Sequence, residues 1–138
     1  MNNPRIIVDT GPLVAFLAEK ERFHEWCGSR FEQLPAPFLT CEAVLTETFF
    51  LISRLPLAPR RFFELLSSGL IETDFSIISE RTALWTLMHK YRDLPMSLAD
   101  ACLVRLAELH PSAEVFTLDS HFNVYRTHGR RKIPLIIP

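Results

Sequence analysis

Arg5-Ile6-Ile7-Val8-Asp9-Thr10-Gly11-Pro12 decides how the rest of this chain is read. Ile6, Ile7 and Val8 are consecutive aliphatic residues of the kind that fill a short strand buried on both faces. The run stops at a carboxylate. Thr10, Gly11 and Pro12 then open an apolar-periodic helix through Leu13, Val14, Phe16 and Leu17, with Pro12 near the first helical position, where its missing N–H is harmless. Asp9 is therefore expected at the carboxyl end of a buried strand, the edge at which an open parallel sheet binds its ligands. A helix cap by Asp9 or Thr10 would account for the same residues. The stretch alone leaves both readings open.

Working outward, helical periodicity predicts a helix from about Phe23 to Leu34, closed by Pro35 and Pro37, and a short strand at Phe38-Leu39-Thr40. Thr40 is a plausible N-cap for a helix from Cys41 to Leu55. Further helices are expected over Arg60–Ser68, Ser79–Tyr91 and Ser97–His110, the first closed by Gly69 and the last by Pro111. Leu70–Thr73 and Glu114–Leu118 read as strands. The second of these again ends on a carboxylate, Asp119, ahead of a short helix over Ser120–Thr127. Ile133–Ile137, interrupted by Pro134, suits an edge strand. Short strands alternating with helices argue for an α/β fold with a parallel sheet covered on both faces.

The 138 residues suggest a single domain spanning 1–138. The formal net charge of −1 provides no global field to draw nucleic acid or a membrane, so any nucleic-acid binding must be local. No stretch is long and apolar enough for a membrane span, and the N-terminus has no signal-peptide pattern. Cys27, Cys41 and Cys102 are odd in number and widely spaced, which fits a reduced, cytoplasmic protein better than a disulfide framework or a zinc knuckle. His24 and Cys27 lie one turn apart, but no second pair completes a zinc site. Phe49, Phe50, Phe62, Phe63, Trp26 and Trp85 are too many for a base-stacking platform, and most are expected in the core.

Two more carboxylates fall on apolar helix faces. Glu47 has Ala43, Val44, Phe50 and Leu51 at three and four positions, which predicts partial burial. Asp100 has Met96, Ser97, Leu103 and Val104, and Asp is a poor residue within a helix. A partner is expected for it: a cation, or a structural pair with Arg92 or Arg105. If the strands ending on Asp9 and Asp119 are adjacent, Asp9, Glu47, Asp100 and Asp119 converge. Converging carboxylates cannot all stay ionised in a dry site without a cation. Hard oxygen donors select Mg²⁺ or Mn²⁺. Two such ions about 4 Å apart can activate water and stabilise the leaving oxygen in phosphodiester hydrolysis.

Ile7-Val8-Asp9-Thr10-Gly11-Pro12-Leu13, Leu45-Thr46-Glu47-Thr48-Phe49, Pro95-Met96-Ser97-Leu98-Ala99-Asp100-Ala101 and Phe116-Thr117-Leu118-Asp119-Ser120-His121-Phe122, in that order and spacing, resemble the PIN-domain family of metal-dependent ribonucleases, and within it the VapC-type toxins. The resemblance spans essentially the whole chain. It implies a three-layer α/β/α fold with a short central parallel sheet. It also implies an acidic Mg²⁺ (or Mn²⁺) site at Asp9, Glu47, Asp100 and Asp119, supported by Thr10 and Thr117. The partners it implies are an RNA substrate, a cognate antitoxin and a second subunit, the protein partners meeting the helices from Cys41 to Ser68; the excess of aromatic residues between Phe23 and Ser68 points to the same interface. One departure stands out: where many relatives carry another acid, this chain has His121, so a second metal position is in doubt. His121 could contact a phosphate or pack beside Phe122, and packing is favoured; Asp93 is close enough to contribute but is read as a solvated or turn residue.

Arg126, Arg130, Arg131 and Lys132 could guide an RNA backbone electrostatically. A non-catalytic RNA- or protein-binding module on the same scaffold is the alternative, against which the intact set of four acids argues. An aspartyl phosphatase would need a second Asp two residues after Asp9, where Gly11 stands. No P-loop, nucleophile elbow or dinucleotide fingerprint is present.

Overall fold

The computed structural model describes residues 4–138. The predicted span 1–138 therefore includes three residues that lie outside the described part. Five strands form one parallel sheet: β1 (Ile6–Val8), β2 (Phe38–Thr40), β3 (Ile71–Thr73), β4 (Glu114–Phe116) and, after a small hairpin, β7 (Leu135–Ile136). Their spatial order is β3-β2-β1-β4-β7. The hairpin pairs β5 (Arg126–Thr127) with β6 (Arg131–Lys132) antiparallel. Six helices cover the sheet: α1 (Thr10–Leu17), α2 (His24–Gln33), α3 (Glu42–Ile52), α4 (Ala58–Ser67), α5 (Arg81–Lys90) and α6 (Leu98–Leu109).

β1 is the central strand, and all three of its residues are fully buried, as a doubly covered parallel strand requires. The chain builds to one side of β1 through β2 and β3, then crosses to β4 on the other side. The strand order thus reverses between β1 and β4, and the crevice above such a reversal is the usual ligand site of an open α/β sheet. Register puts Val8 opposite Phe116. Phe31 of α2 packs its ring on Phe38 and Phe116 (centroids 5.0 and 5.1 Å), and Trp26 meets Phe116 edge-on, locking α2 over β2 and β4.

Several local expectations shift. Thr40 does not cap α3. It stays in β2, where its hydroxyl donates to Val8 O at 2.8 Å, and Cys41 takes the cap position without a side-chain bond. The segment predicted as a helix over Ser120–Thr127 is a single 3₁₀ turn, Ser120–Asn123, followed by β5. The Arg126 Nη1 closes that turn on the carbonyls of Asn123, Val124 and Tyr125 (2.6–3.1 Å). Pro134 lies just outside β7, at the sheet edge.

The aromatic expectation holds in part. Phe62 is buried, and Phe49 and Trp26 are half-buried. Phe50, Phe63 and Trp85 face solvent. His24 donates from Nδ1 to Ala15 O at 2.7 Å beside a buried Cys27, a structural arrangement rather than half of a zinc site.

Candidate active site

Asp9 leaves β1 with its backbone N–H still bonded to Phe116 O (3.0 Å). Its carboxylate turns up into the crevice. Oδ1 accepts from Thr10 N at 2.7 Å, and Oδ2 accepts from the Thr117 hydroxyl at 2.7 Å. Asp9 is thus both the cap of α1 and a wall of the crevice; the two readings of the sequence are compatible. Gly11 in the next turn lets α1 approach Leu118, since a Cβ there would lie 3.2 Å from Leu118 Cβ.

Asp119 follows β4 across the same crevice. Its N–H donates to Thr117 Oγ1 at 2.9 Å, and its Oδ1 accepts from both the backbone N–H and the ring Nδ1 of His121 (2.9 and 2.8 Å). His121 therefore orients Asp119 rather than merely packing beside Phe122. The other Asp119 oxygen accepts no bond among the described residues.

Asp100 differs from its expectation. It is not mid-helix but the third residue of α6, in a reciprocal cap: Asp100 N donates to Ser97 Oγ and Ser97 N donates to Asp100 Oδ2, both at 3.0 Å. Such a box satisfies two orphan N–H groups and suits an acid at this site. No Arg pairs with it among the described residues. Arg105 is held by Glu80 and Glu108, and Arg92 bonds His89 O.

Glu47 is also corrected. It is exposed, not partly buried, because α3 turns this face outward and leaves Phe50 and Leu51 exposed with it. Even so, it reaches the same cleft. Asp93 stays in an exposed turn outside it.

Asp9, Glu47, Asp100 and Asp119 line one cleft of about 320 Å³, with Thr10, Gly11, Val14, Leu51 and Leu118. Glu21 completes the rim. In the sequence Glu21 sits in the charged run Glu19-Lys20-Glu21-Arg22, where nothing local aims it at the cleft. No Lys or Arg lines it. Burial pushes the Asp9 carboxyl up to about 6, with the charges of Asp100 and Asp119 adding to the rise and the Thr117 and Thr10 bonds opposing it. Burial also raises Asp100, against the Ser97 bonds.

Beneath the cleft, Tyr125 is fully buried and its hydroxyl has no partner among the described residues. Burial raises that phenol, helped by the fields of Asp100, Asp119 and Asp9. Its position behind the acids had no signal in the sequence.

The donor set fits a hard divalent cation. Among the described residues, five acids face one cleft with no Lys or Arg in its lining, and the buried Thr10 hydroxyl beside them has no hydrogen-bond partner. As the side chains stand, no three acidic, His or Cys groups among the described residues are gathered tightly enough to ligate an ion. Asp9, Asp100 and Asp119 are instead turned onto backbone N–H groups and hydroxyls.

Comparison with known proteins agrees with this architecture. The chain is similar in fold to VapC20 of Mycobacterium tuberculosis, described as a sarcin-ricin loop cleaving toxin. The TM-score is 0.77 at 17% identity, covering 86% of this chain and 93% of that one. A search of curated proteins gives no match. The sequence pattern of the PIN domain matches residues 6–127. The chain belongs to the PIN domain family.

Proposed function

We propose that this protein is a Mg²⁺- or Mn²⁺-dependent endoribonuclease and the toxin of a toxin–antitoxin pair. One observation carries the reading: a desolvated Asp9 at the strand-order reversal, raised to about 6, in a cleft of carboxylates that no Lys or Arg lines. Asp9, Asp100 and Asp119, with Glu47 at the rim, would hold the ion. When bound, it supplies Lewis-acid activation of water and stabilisation of charge at a phosphodiester. The chain's own part is orientation. Thr117 fixes Asp9 and the Asp119 backbone together, Ser97 fixes Asp100, and His121 fixes one oxygen of Asp119 so that the other faces outward. Three separate elements thereby present acids at fixed positions, the preorganisation that metal-assisted hydrolysis needs.

RNA as substrate follows from the family and from the RNA-cleaving activity in the name of the similar M. tuberculosis protein. A protein partner, antitoxin or second copy, has a candidate surface on α3, α4 and their connection, where Phe50, Leu51, Leu55, Leu57 and Phe63 are exposed. A cytoplasmic single domain fits three free, buried cysteines and the absence, among the described residues, of a helix long and apolar enough to cross a membrane. The second reading, a non-catalytic binding module, draws on the carboxylates being held by the fold's own donors rather than gathered around an ion.

The test is cleavage of a single-stranded RNA by the purified protein in EDTA, Mg²⁺ and Mn²⁺, for wild type and for Asp9→Asn, Glu47→Gln, Asp100→Asn and Asp119→Asn. Cleavage only with metal, lost in Asp9→Asn, Asp100→Asn and Asp119→Asn and weakened in Glu47→Gln, supports the nuclease. Binding of RNA without cleavage in either metal supports the module.

A further inference from the structure

The outer face of α5 and the β5–β6 hairpin form one continuous surface. Lys90 Nζ donates to Gly129 O at 3.1 Å, and Arg126 N donates to the Tyr91 hydroxyl at 2.9 Å. Its charge is lopsided. Residues 81–90 and 126–132 hold six of the 15 Lys and Arg and none of the 16 Asp and Glu, in a chain whose net charge is −1. None of the six makes a salt bridge among the described residues. The carboxylates that reach this side are engaged elsewhere: Glu80 and Glu108 hold Arg105, and Glu108 also accepts from His128 N. Lys90, Arg130, Arg131 and Lys132 stay exposed.

Elsewhere on the exposed side of α5, Trp85 is 70% exposed, its ring against His89 one turn on (centroids 5.9 Å). That ring buries little against the core and leaves its face open to a ligand. Aromatic faces set among cations are how proteins hold unpaired bases while tracking a phosphate backbone. A protein interface core, by contrast, is depleted in charge. Beneath this surface, buried rings link the segment after Asp119 to α5: Phe122 meets Tyr125 edge-on (5.2 Å), and Tyr125 meets Tyr91 edge-on (5.1 Å).

We infer that α5 and the β5–β6 hairpin hold the RNA strand flanking the cleft, with Trp85 stacked on an unpaired base and Lys90, Arg130, Arg131 and Lys132 on its phosphates. This rests on the ribonuclease reading and adds to it the residues that grip the strand beside the scissile nucleotide.

The experiment measures anisotropy of a labelled single-stranded RNA and tryptophan quenching in EDTA, alongside metal-dependent cleavage. The expected result is that Trp85→Ala weakens binding by about tenfold and abolishes most of the quenching, while Trp85→Phe keeps most of the affinity. The Arg130→Ala/Arg131→Ala pair should lower the slope of log affinity against log salt by about 1.4. Trp26, half-buried against Phe116, reports that the fold is intact. A Trp85→Ala protein that binds RNA like wild type, with cleavage intact, overturns the inference and leaves the nuclease standing. The same result accompanied by loss of a dimer in sedimentation overturns it in favour of a self-association face. Trp85-dependent binding without metal-dependent cleavage supports the surface and removes the nuclease reading.

Discussion

The Thr117 hydroxyl donates to Asp9 Oδ2 at 2.7 Å and at the same time accepts from Asp119 N at 2.9 Å. One small side chain thus ties together the two acids that end neighbouring strands. Thr117→Val keeps the shape and removes both bonds. It should destabilise the protein by about 1–2 kcal/mol and raise the Asp9 carboxyl further, since that bond holds it down. Thr117→Ser should behave like wild type. Urea unfolding of the three proteins, with Mn²⁺ affinity measured at pH 6 and 8, checks this; the valine variant should lose affinity mainly at pH 6.

Asp9 also sets a pH dependence for the metal-free protein. Its carboxyl rises from 3.8 to about 6 on folding. Between these values the folded state binds more protons than the unfolded chain, so stability falls as pH rises through this window. The shift corresponds to about 3 kcal/mol, and Asp100, also raised, acts in the same direction. In EDTA the midpoint of unfolding should therefore be higher near pH 5 than at pH 7, and Asp9→Asn should flatten that slope. Added Mg²⁺ or Mn²⁺ should stabilise most at pH 7, where the acids are ionised. Denaturant midpoints across pH 4–8 decide it.

The core of this account was legible where local pattern and tertiary role coincide. Ile6-Ile7-Val8-Asp9 could only be a buried strand ending on an acid, and Thr117-Leu118-Asp119 repeats the device after β4. Asp100 is a capping residue and not a mid-helix acid, a distinction that hangs on a helix start which periodicity fixes only to within a residue or two. Glu47 was expected on a buried face because its neighbours are apolar. Those neighbours, Phe50 and Leu51, are themselves exposed, and one sequence cannot tell a core face from an interface face. Glu21 and Tyr125 reach the site only through tertiary packing, which leaves no local trace.

Tyr125 offers a test of the cleft's underside. Its hydroxyl is buried without a partner, whereas its ring packs on Tyr91 and Phe122. Tyr125→Phe removes an unsatisfied polar atom and keeps the packing. The metal-free protein should keep its stability or gain up to about 1 kcal/mol. A clear loss by chemical denaturation would show that the hydroxyl is satisfied in solution.

Leu57 precedes α4 in the left-handed region, at φ +66°, and is largely exposed. A non-glycine residue there costs about 1 kcal/mol or more, which Leu57→Gly should recover in the isolated chain. If the apolar surface around it receives a protein partner, the same change should weaken association. Calorimetric melts and sedimentation across a concentration series separate the two effects.

The central claim is that Asp9, Asp100 and Asp119 hold a divalent cation, and anomalous diffraction from a Mn²⁺-soaked crystal tests it most directly. The account predicts a manganese peak bounded by those three carboxylates, met by the Asp119 oxygen that His121 leaves free, and absent in Asp100→Asn crystals soaked alike. A crystal of protein that cleaves RNA, saturated with Mn²⁺ and showing no peak in this cleft or a peak elsewhere, would contradict it.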